Sequence, residues 1–498
     1  INLFKQWIKE GAQYEKHWAF EAPKKADLPN VNHPNWMTNE VDYFILKKME
    51  ALGFSPNDAA SKDALIKRAF ADLIGLPPSY NELNYWRSIS NENWYEQLID
   101  DLLQKPAYGE KLALLWMDLA RYADSYGFQD DNIRSQWPWR DWVIHAFNDN
   151  LPYDQFLINQ IAGDLLPNAT KKNILATAFF RNHKFTEEGG VIDEEYRVSY
   201  NIDKTRTYGK AFLGVTIECA QCHDHKYDPF SNRAYYQLYA FFNESKEKGY
   251  EGDVSVSTPA KNPKLLISAQ ERNKLLSFLN TSDTSQLEVS VMGDWSPKDS
   301  IKTRPTYILA RGSYDAPTDQ LVKPTALESI MPFDTTKYQR NRLGLAQWTT
   351  NAQNPLTSRV FVNFIWQELF GKGIVNTSAD YGLQGELPTH PELLDWLAVD
   401  FMEHHWDIKY LIKKIVMSST FKQSAEMSSE QLTLDPDNIY YSRSPRLRFK
   451  AEIIRDFVLG SSGLLNPEVG GPSVKPYQPE GVWESTTSGR GVLASYTQ

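Results

Sequence analysis

Apolar side chains recur at intervals of three and four residues over two long parts of the chain, and this spacing places them on one face of an α-helix. The first part runs from about residue 39 to residue 242 and begins with Val41, Phe44 and Met49. The second part runs from about residue 342 to residue 421. Because this pattern leaves little of the chain for an extended sheet, we predict a mainly α fold.

The stretch between the two helical parts has a different composition. It is rich in Ser, Thr, Lys and Pro and contains two short β-type runs, residues 287–291 and 306–310. We therefore predict two helical domains with a small β-containing insert between them. The predicted boundaries are residues 1–20, one helix; residues 21–36, a Pro- and Asn-rich linker; residues 37–243, the first helical domain; residues 244–340, the insert; and residues 341–498, the second helical domain, which ends in a loop-like tail from Gly470.

Charge and hydropathy exclude two classes of function. The net charge is −10 and the pI is near 5.5, whereas nucleic-acid-binding proteins concentrate Lys and Arg on one face. No apolar run approaches the roughly 18 residues that a membrane-spanning helix needs. We therefore expect neither a nucleic-acid partner nor a membrane span.

The two cysteines of the chain lie three positions apart and directly before a histidine, in the sequence Cys219-Ala220-Gln221-Cys222-His223. Two thiols at this spacing can each add across a vinyl group of haem, and the adjacent imidazole can then bind the iron. This motif predicts covalently bound haem c, with Cys219 and Cys222 as the attachment sites and His223 as the proximal iron ligand.

Two other kinds of site use a Cys-x-x-Cys spacing. A structural zinc site needs four ligands, which here would have to come from near neighbours such as Asp224, His225 and Asp228. A thioredoxin-like dithiol belongs at a helix N-terminus after a strand, which differs from the helical context of this motif. Zinc and dithiol chemistry remain the alternatives to haem.

The residue at the second axial position of the iron would decide between electron transfer and ligand binding. His225 is too close to His223 to reach the opposite face, so the candidates are His145, His183, Met117 or no residue at all. Met117 has a second interpretation as a packing residue of an apolar helix.

A dense series of charged residues flanks the motif. Carboxylates this close together are typical of a Ca²⁺ site or of an acid and base pair, and the alternative is a solvated helix face with local ion pairs. Gly189-Gly190 predicts a tight turn that would bring the acidic groups on its two sides together. The series comprises Glu187, Glu188, Asp193, Glu194, Glu195, Arg197, Asp203, Lys204 and Arg206, followed by Asp224, His225, Lys226 and Asp228.

A further polar set, Arg121 with Asp124 and Arg140 with Asp141, occurs on or beside otherwise apolar helices. Arg-Asp pairs of this kind more often stabilise a fold than perform chemistry.

Several segments of the first 243 residues resemble a known family. They are similar to the planctomycete-type cytochrome c-associated domain of unknown function, over about residues 18–243. The segments are residues 71–78, 116–125, 139–144, 162–167, 188–190 and 219–229.

The second half resembles the partner domain that usually follows it in the same polypeptide. One departure is Phe364, where that family tends to have Arg, so a role carried by that Arg is not expected here. The segments that carry this resemblance are residues 354–360, 370–375, 385–397, 418–420 and 452–456.

The resemblance implies an exported protein, periplasmic or at the cell surface, from a group often encoded beside genes for polysaccharide degradation. It also implies that residues 1–20 are the tail of a preceding cytochrome c module, which would carry a second haem. Fold-level analogy does not supply a reaction.

Our first functional hypothesis is a haem c oxidoreductase that passes electrons from an organic substrate, such as a carbohydrate, to a cytochrome acceptor. His225, Asp228, Glu188 and Arg140 are its candidate bases, acids or anchoring groups. The second hypothesis is a non-enzymatic electron-transfer or surface-assembly protein. The third is a glycan hydrolase or lyase with a structural haem, centred on Asp380, Glu386, His390 and Asp395.

Overall fold

A computed structural model of the chain describes residues 1–12, 16–128, 131–283, 285–295 and 304–474. About 49% of the residues are helical, and the strands form two small two-stranded sheets within the described residues. The predicted mainly α fold is therefore confirmed.

Eleven of the described helices precede the strands. Their bounds are α1 Asn2–Lys9, α2 Glu40–Leu52, α3 Lys62–Ile74, α4 Tyr80–Ser88, α5 Trp94–Gln104, α6 Pro106–Ala120, α7 Trp137–Asn148, α8 Tyr153–Ala162, α9 Lys171–Ala176, α10 Asp193–Tyr208 and α11 Asn232–Asn243.

The remaining helices lie in or after the strand region. Their bounds are α12 Ala269–Leu275, α13 Arg342–Thr349, α14 Thr357–Phe370, α15 Pro391–Glu403, α16 Ile408–Val416, α17 Ser419–Lys422, α18 Ser429–Leu434 and α19 Ala451–Ser462.

Local sequence signals explain where these helices begin and end. Asn39 caps α2, and its side chain and that of Asp42 form a reciprocal capping box. Helices α2 and α3 end at Gly53 and Gly75, which adopt the left-handed conformation that glycine tolerates best. The predicted helical boundaries therefore have a physical basis in side-chain caps as well as in apolar periodicity.

The strands form two antiparallel pairs, β1 (Lys264–Ile267) with β2 (Leu287–Ser290) and β3 (Thr306–Leu309) with β4 (Pro317–Val322). The observed β2 and β3 confirm the two β-type runs found in the sequence. The sequence analysis missed β1 and β4. Most residues of β4 are exposed, so the strand has no buried apolar alternation that the sequence could reveal.

The predicted single helix over residues 1–20 is wrong. Helix α1 ends at Lys9, and Trp18–Phe20 form a separate 3₁₀ turn. Gly11 and Ala12 both have positive φ angles, of 99° and 48°, which stop an α-helix. The predicted tail from Gly470 is described only as far as residue 474, and its remainder lies outside the described residues.

One continuous apolar core joins the parts of the fold. It runs from Ala19 in the first 3₁₀ turn to Tyr441 after α18. Helix α13 packs against α8, and the fully buried Arg342 donates hydrogen bonds to Asp164 and Asp294 on both sides of this contact. The two helical parts therefore share one interior.

No helix among the described residues is long and apolar enough to cross a bilayer.

Candidate functional site

The Cys219–His223 segment lies at the surface between α10 and α11. Its first part forms the 3₁₀ turn Glu218–Gln221. Cys219 and Cys222 are both exposed and unpaired, and Cys222 Sγ lies 3.2 Å from the carbonyl oxygen of Arg311, to which it donates. Both thiols are therefore accessible from solvent.

Side chains of the flanking helices hold the two residues between the cysteines. Arg206 Nη2 of α10 donates to Gln221 Oε1 at 2.6 Å. From α11, Asn232 Nδ2 donates to the carbonyl oxygens of Ala220 and Gln221 at 2.8 and 3.0 Å, and the Tyr236 hydroxyl donates to Gln221 O at 3.0 Å. These bonds fix the position of the motif on the two helices.

The imidazole of His223 is exposed, and its two nitrogens have different environments. Nδ1 lies 2.8 Å from the carbonyl oxygen of Asp224. Because a carbonyl can only accept, this contact places the proton on Nδ1 and leaves the lone pair of Nε2 for an iron ion. Two free thiols and an available Nε2 fit the requirements of a covalently attached haem.

The two rival sites receive less support from the geometry. Within the described residues, no group of three or more His, Cys, Asp or Glu side chains is arranged to hold a metal ion. Asp224 Oδ1 instead accepts from the backbone N–H of Asn232 at 2.8 Å. The motif also follows a helix and lies on a 3₁₀ turn, which is not the strand-to-helix junction of a thioredoxin-like dithiol.

His225 and Asp228 are buried and hold a loop in place. His225 Nδ1 accepts from the backbone N–H groups of Tyr227 and Asp228 at 3.3 and 2.8 Å, so this nitrogen carries no proton. Asp228 Oδ1 accepts from the backbone N–H of Leu383 at 2.7 Å. A Cβ atom at Gly382 would collide with the same carboxylate, so the Asp228 side chain can approach this backbone only because residue 382 is glycine.

The first 3₁₀ turn of the chain packs beside this loop. Phe20 meets Phe230 edge to face, with ring centroids 5.8 Å apart. Trp18 contacts the ring of Tyr381 and lies beneath the guanidinium of Arg359. Burial lowers the pKa of the neighbouring His17, against the raising effect of Asp228. The loop after the cysteine motif is thus enclosed by segments from distant parts of the sequence.

Arg140 and Glu188 make contacts elsewhere. Arg140 donates to Asp141 at 2.9 Å, to Ser473 Oγ at 3.0 Å and to the carbonyl oxygen of Gly471. Glu188 is half-buried, and its backbone N–H donates to Thr186 Oγ1 at 3.3 Å. The structure brings His225 and Asp228 together, with Nδ1 and Oδ2 3.5 Å apart, whereas the contacts described for Arg140 and Glu188 are with other residues.

The acidic series is arranged as separate ion pairs and caps. Glu187 is buried and bonded to Lys261, Ser257 Oγ and Asn132 Nδ2, whereas Asp193 accepts from the backbone of Tyr250. The turn at Gly190 forms with φ of 83°, but it does not bring these two carboxylates to a common partner. Two further carboxylates of the series form ion pairs, Glu194 with Arg197 and Asp203 with Arg121.

The candidate sixth ligands are engaged in other contacts. His183 has Nδ1 at 2.7 Å from Lys184 O and Nε2 at 2.9 Å from Glu247. His145 Nε2 lies 2.9 Å from Asp149, and Met117 packs against the core. None of these three contacts the cysteine motif.

A buried ion cluster that sequence reasoning missed lies behind α10. Arg181, His183 and Lys204 all contact the carboxylate of Glu247, and their side chains are at most 3% exposed. Burial raises the pKa of Glu247, but Arg181 and Lys204 outweigh burial and hold that pKa well below its ordinary range. The three cationic residues lie 43 to 66 positions before Glu247 in the sequence, so no local motif indicates the cluster.

A cavity of about 540 Å³ opens in front of this cluster. Its described lining lies between the end of α6, residues 123–128 and 131–134, residues 182–184 and α10. Asp203 of the cavity wall is one turn of α10 from Arg206, which holds Gln221 of the motif. The lining residues include Arg121, Tyr126, Phe128, Asp131, Arg134, Asn182, His183, Lys184, Tyr200 and Asp203.

Family models match two parts of the chain. Residues 40–247 match PSCyt2, a protein of unknown function (DUF1549), and residues 341–497 match PSD1, a protein of unknown function (DUF1553). Both domains of the predicted pair are therefore matched, each over part of the chain. No curated protein and no solved structure matches it.

The PSCyt2 domain contains the cysteine motif, the ion cluster and every lining residue of the cavity named above. The PSD1 domain contributes Leu383, which binds Asp228. The cytochrome c module predicted before these domains is not shown by the matches.

The four catalytic candidates of the PSD1 domain make separate contacts. Asp395 forms a bidentate pair with Arg359 at 2.7 and 2.8 Å. His390 is buried, and burial lowers its pKa to about 3. Asp380 accepts from the backbone N–H of Gly382, and the exposed Glu386 accepts from Asn376. These contacts support structural roles.

Proposed function

We propose that this chain is a c-type haem protein that transfers electrons through the Cys219–His223 segment. The observation that carries the proposal is the combination of two unpaired, exposed thiols with an imidazole whose Nε2 is free to bind iron. Cys219 and Cys222 would hold the haem, and His223 would be the proximal ligand. Bound haem supplies one-electron chemistry whose potential depends on its axial ligands and surroundings.

The residues around the motif act by positioning it. Asn232 and Tyr236 bind the backbone carbonyls between the cysteines, and Arg206 binds the side chain of Gln221. The Asp224 carbonyl orients the imidazole of His223. A ligand histidine whose second nitrogen donates a hydrogen bond keeps one tautomer and one ring orientation. The segment is therefore prepared for attachment before haem arrives.

We extend the proposal to an oxidoreductase that receives electrons from an organic substrate, a carbohydrate among them, and passes them to a cytochrome acceptor. The support is the cavity of the PSCyt2 domain, which shares α10 with the motif. We also propose that the protein is located outside the cytoplasm, in the periplasm or at the cell surface.

The alternative is electron transfer without substrate chemistry. It is favoured by the positions of His225 and Asp228, whose ring nitrogen and carboxylate oxygen are bonded to backbone N–H groups. His225 Nδ1 is a poor proton acceptor because its one lone pair already accepts from the backbone, and the buried carboxylate of Asp228 is fixed in place by the N–H of Leu383.

Haem attachment is tested by expressing the full chain with a c-type cytochrome maturation system. We expect a reduced c-type absorption spectrum and haem that stays on the protein in a denaturing gel. The C219S/C222S double variant should lose covalent haem, whereas Ser231→Ala, a helix-cap variant nearby, should keep it. Wild-type protein that matures without covalent haem would overturn the proposal.

Adding candidate reductants to the oxidised holoprotein distinguishes the two forms of the proposal. Reduction of the haem on addition of a sugar supports the oxidoreductase. A haem that is reduced by cytochrome partners but by no organic substrate, and that does not bind carbon monoxide, supports electron transfer alone.

A further inference from the structure

The cavity in front of the Glu247 cluster has the features of a built binding site. Its volume of about 540 Å³ lies within the range of about 300 to 1,000 Å³ that is typical of small-molecule sites. We propose that this cavity binds a small organic anion of sugar size, with a carboxylate, sulfate or phosphate group facing its arginines. The lining residues include neither cysteine nor His223, so binding to this cavity can be tested without haem.

Asn182 is the first indication of a ligand. Its side chain lines the cavity and is 2% exposed, yet neither its amide nitrogen nor its amide oxygen has a hydrogen-bond partner in the described structure. An unpaired buried amide destabilises the fold, because it has lost its bonds to water without gaining others. A ligand that accepts from Nδ2 and donates to Oδ1 would remove this cost, and a hydroxylated molecule can do both.

Charge in the cavity favours an anion. The lining side chains include three cations, Arg121, Arg134 and Lys184, and two carboxylates, Asp131 and Asp203. Arg121 pairs with Asp203 at 2.7 Å. The remaining charge is positive and partly buried, which is where an added anion gains most.

Arg134 provides the buried part of this charge. It is 4% exposed and donates to the carbonyl oxygens of Ala123, Asn182 and His183 at 2.8, 3.0 and 3.0 Å. These partners carry no formal charge, and the nearby carboxylate of Asp124 accepts from the Tyr122 hydroxyl and forms no ion pair with this guanidinium in the described structure. A buried cation of this kind is stabilised by an anionic ligand in the same cavity.

Aromatic side chains give the cavity its shape. Tyr126, Phe128 and Tyr200 are among the lining residues, and Tyr200 stacks on His183 with ring centroids 4.5 Å apart. Tyr126 and Tyr200 are buried, whereas Phe128 is 40% exposed and provides a face for the apolar side of a sugar ring. The cavity therefore suits a ring-shaped ligand better than a free inorganic ion.

The ion cluster behind the cavity makes this site rigid. Glu247 holds Arg181 and His183, the residues on either side of Asn182. A polar group whose neighbours are locked in this way keeps its position without a ligand, so less entropy is lost on binding. The Glu247 cluster thus positions Asn182.

Binding is tested by isothermal titration calorimetry on the full chain at low ionic strength. The anionic probes are D-glucuronate, D-glucose 6-sulfate and D-glucose 6-phosphate, and the neutral comparator is D-glucose. We expect at least one anionic probe to bind, with D-glucose about tenfold weaker or undetectable. The proposal is overturned if no anionic probe binds to folded protein, if D-glucose binds equally well, or if inorganic sulfate or phosphate binds as tightly as the sugar anion.

Two variants connect the binding to the cavity. Asn182→Leu keeps the side-chain volume and removes the amide, and we expect affinity for the anionic probe to fall about tenfold. Lys184→Gln removes an exposed charge, and we expect a loss of about threefold that shrinks as salt is added. Lys337→Gln is the matched surface control and should bind like the wild type. Unchanged affinity in both cavity variants would contradict the assignment.

The C219S/C222S variant makes this test independent of the proposed function. It should bind the anionic probe with wild-type affinity. If haem attachment fails while sugar anions bind, the cavity assignment stands and the haem proposal falls, and the reverse result has the reverse meaning.

Discussion

The cysteine segment and the Glu247 cluster lie on either side of α10 and are both rich in polar groups, but they differ in exposure. Cys219, Cys222 and His223 are at the surface, and their reactive atoms have few or no protein partners. The Glu247 cluster is almost completely buried, and Glu247 is shared by three cations. Reactivity and structural support are thus assigned to different sets of residues.

This difference has an energetic basis. A buried charge must be paired, and removing its partner leaves an uncompensated charge in a low-dielectric interior. An exposed group is solvated with or without a protein partner, so its removal changes the free energy of unfolding little. The stability cost of substitutions should therefore separate the two regions clearly.

The largest effect is expected for Glu247→Ala. Arg181, His183 and Lys204 would lose their common anion, and we expect the free energy of unfolding to fall by about 3–5 kcal/mol. Urea unfolding followed by circular dichroism measures this change. Glu386→Ala, at an exposed carboxylate, is the matched control and should change the value by less than about 0.5 kcal/mol. Equal effects of the two substitutions would show that the cluster does not support the fold.

The pH dependence of stability tests the buried state of a histidine, His390. Burial lowers the pKa of His390 from 6.5 to about 3. Between these two values the unfolded chain binds a proton at this residue and the folded chain does not, so stability is complete above pH 6.5 and falls as the pH drops towards 3. At pH 5 the loss from this residue is about 2 kcal/mol.

The contribution of His390 is isolated by comparing the wild type with His390→Leu. Unfolding free energies are measured in urea at pH 7.5 and pH 5.0. The wild type should lose about 2 kcal/mol more than the variant over this interval. Parallel pH dependence of the two proteins would contradict the buried, neutral state of this imidazole.

Local patterns in the sequence predicted much of the fold and the exposed site. Apolar periodicity indicated the helices, β-branched runs indicated β2 and β3, and the Cys-x-x-Cys-His spacing indicated the surface motif. All of these signals come from residues within one turn or one strand of each other.

The features that the sequence could not predict depend on contacts between distant residues. Glu247 meets Arg181 and His183 from more than 60 positions away, and Arg140 meets Gly471 from 331 positions away. The helix predicted over residues 1–20 is too long, because the apolar residues of Trp18–Phe20 continue the helical pattern. The backbone at Gly11 and Ala12, which stops the helix, leaves no such pattern in the sequence. Side-chain pairing of this kind is visible only once the fold is known.

A third prediction concerns Asp228, which lies next to the exposed motif but is itself buried. Asp228→Ala leaves the backbone N–H of Leu383 without its acceptor, and we expect a loss of about 1–2 kcal/mol in the free energy of unfolding. Asp228→Asn keeps an oxygen at this position and should lose less. An alanine variant as stable as the wild type would show that Asp228 does not stabilise the fold, and Asp228 would again be a candidate catalytic residue.

The smallest effect is expected for the C219S/C222S variant in protein prepared without haem. Both side chains are exposed, and the hydrogen bond from Cys222 Sγ to Arg311 O is a weak one that a serine hydroxyl can replace. The free energy of unfolding should change by less than about 0.5 kcal/mol, as measured in the same urea titration. Together with loss of covalent haem, this result would place the motif among residues that carry chemistry at little cost in stability. A loss of several kcal/mol would mean that the thiols are part of the structural framework, and the contrast with the Glu247 cluster would fail.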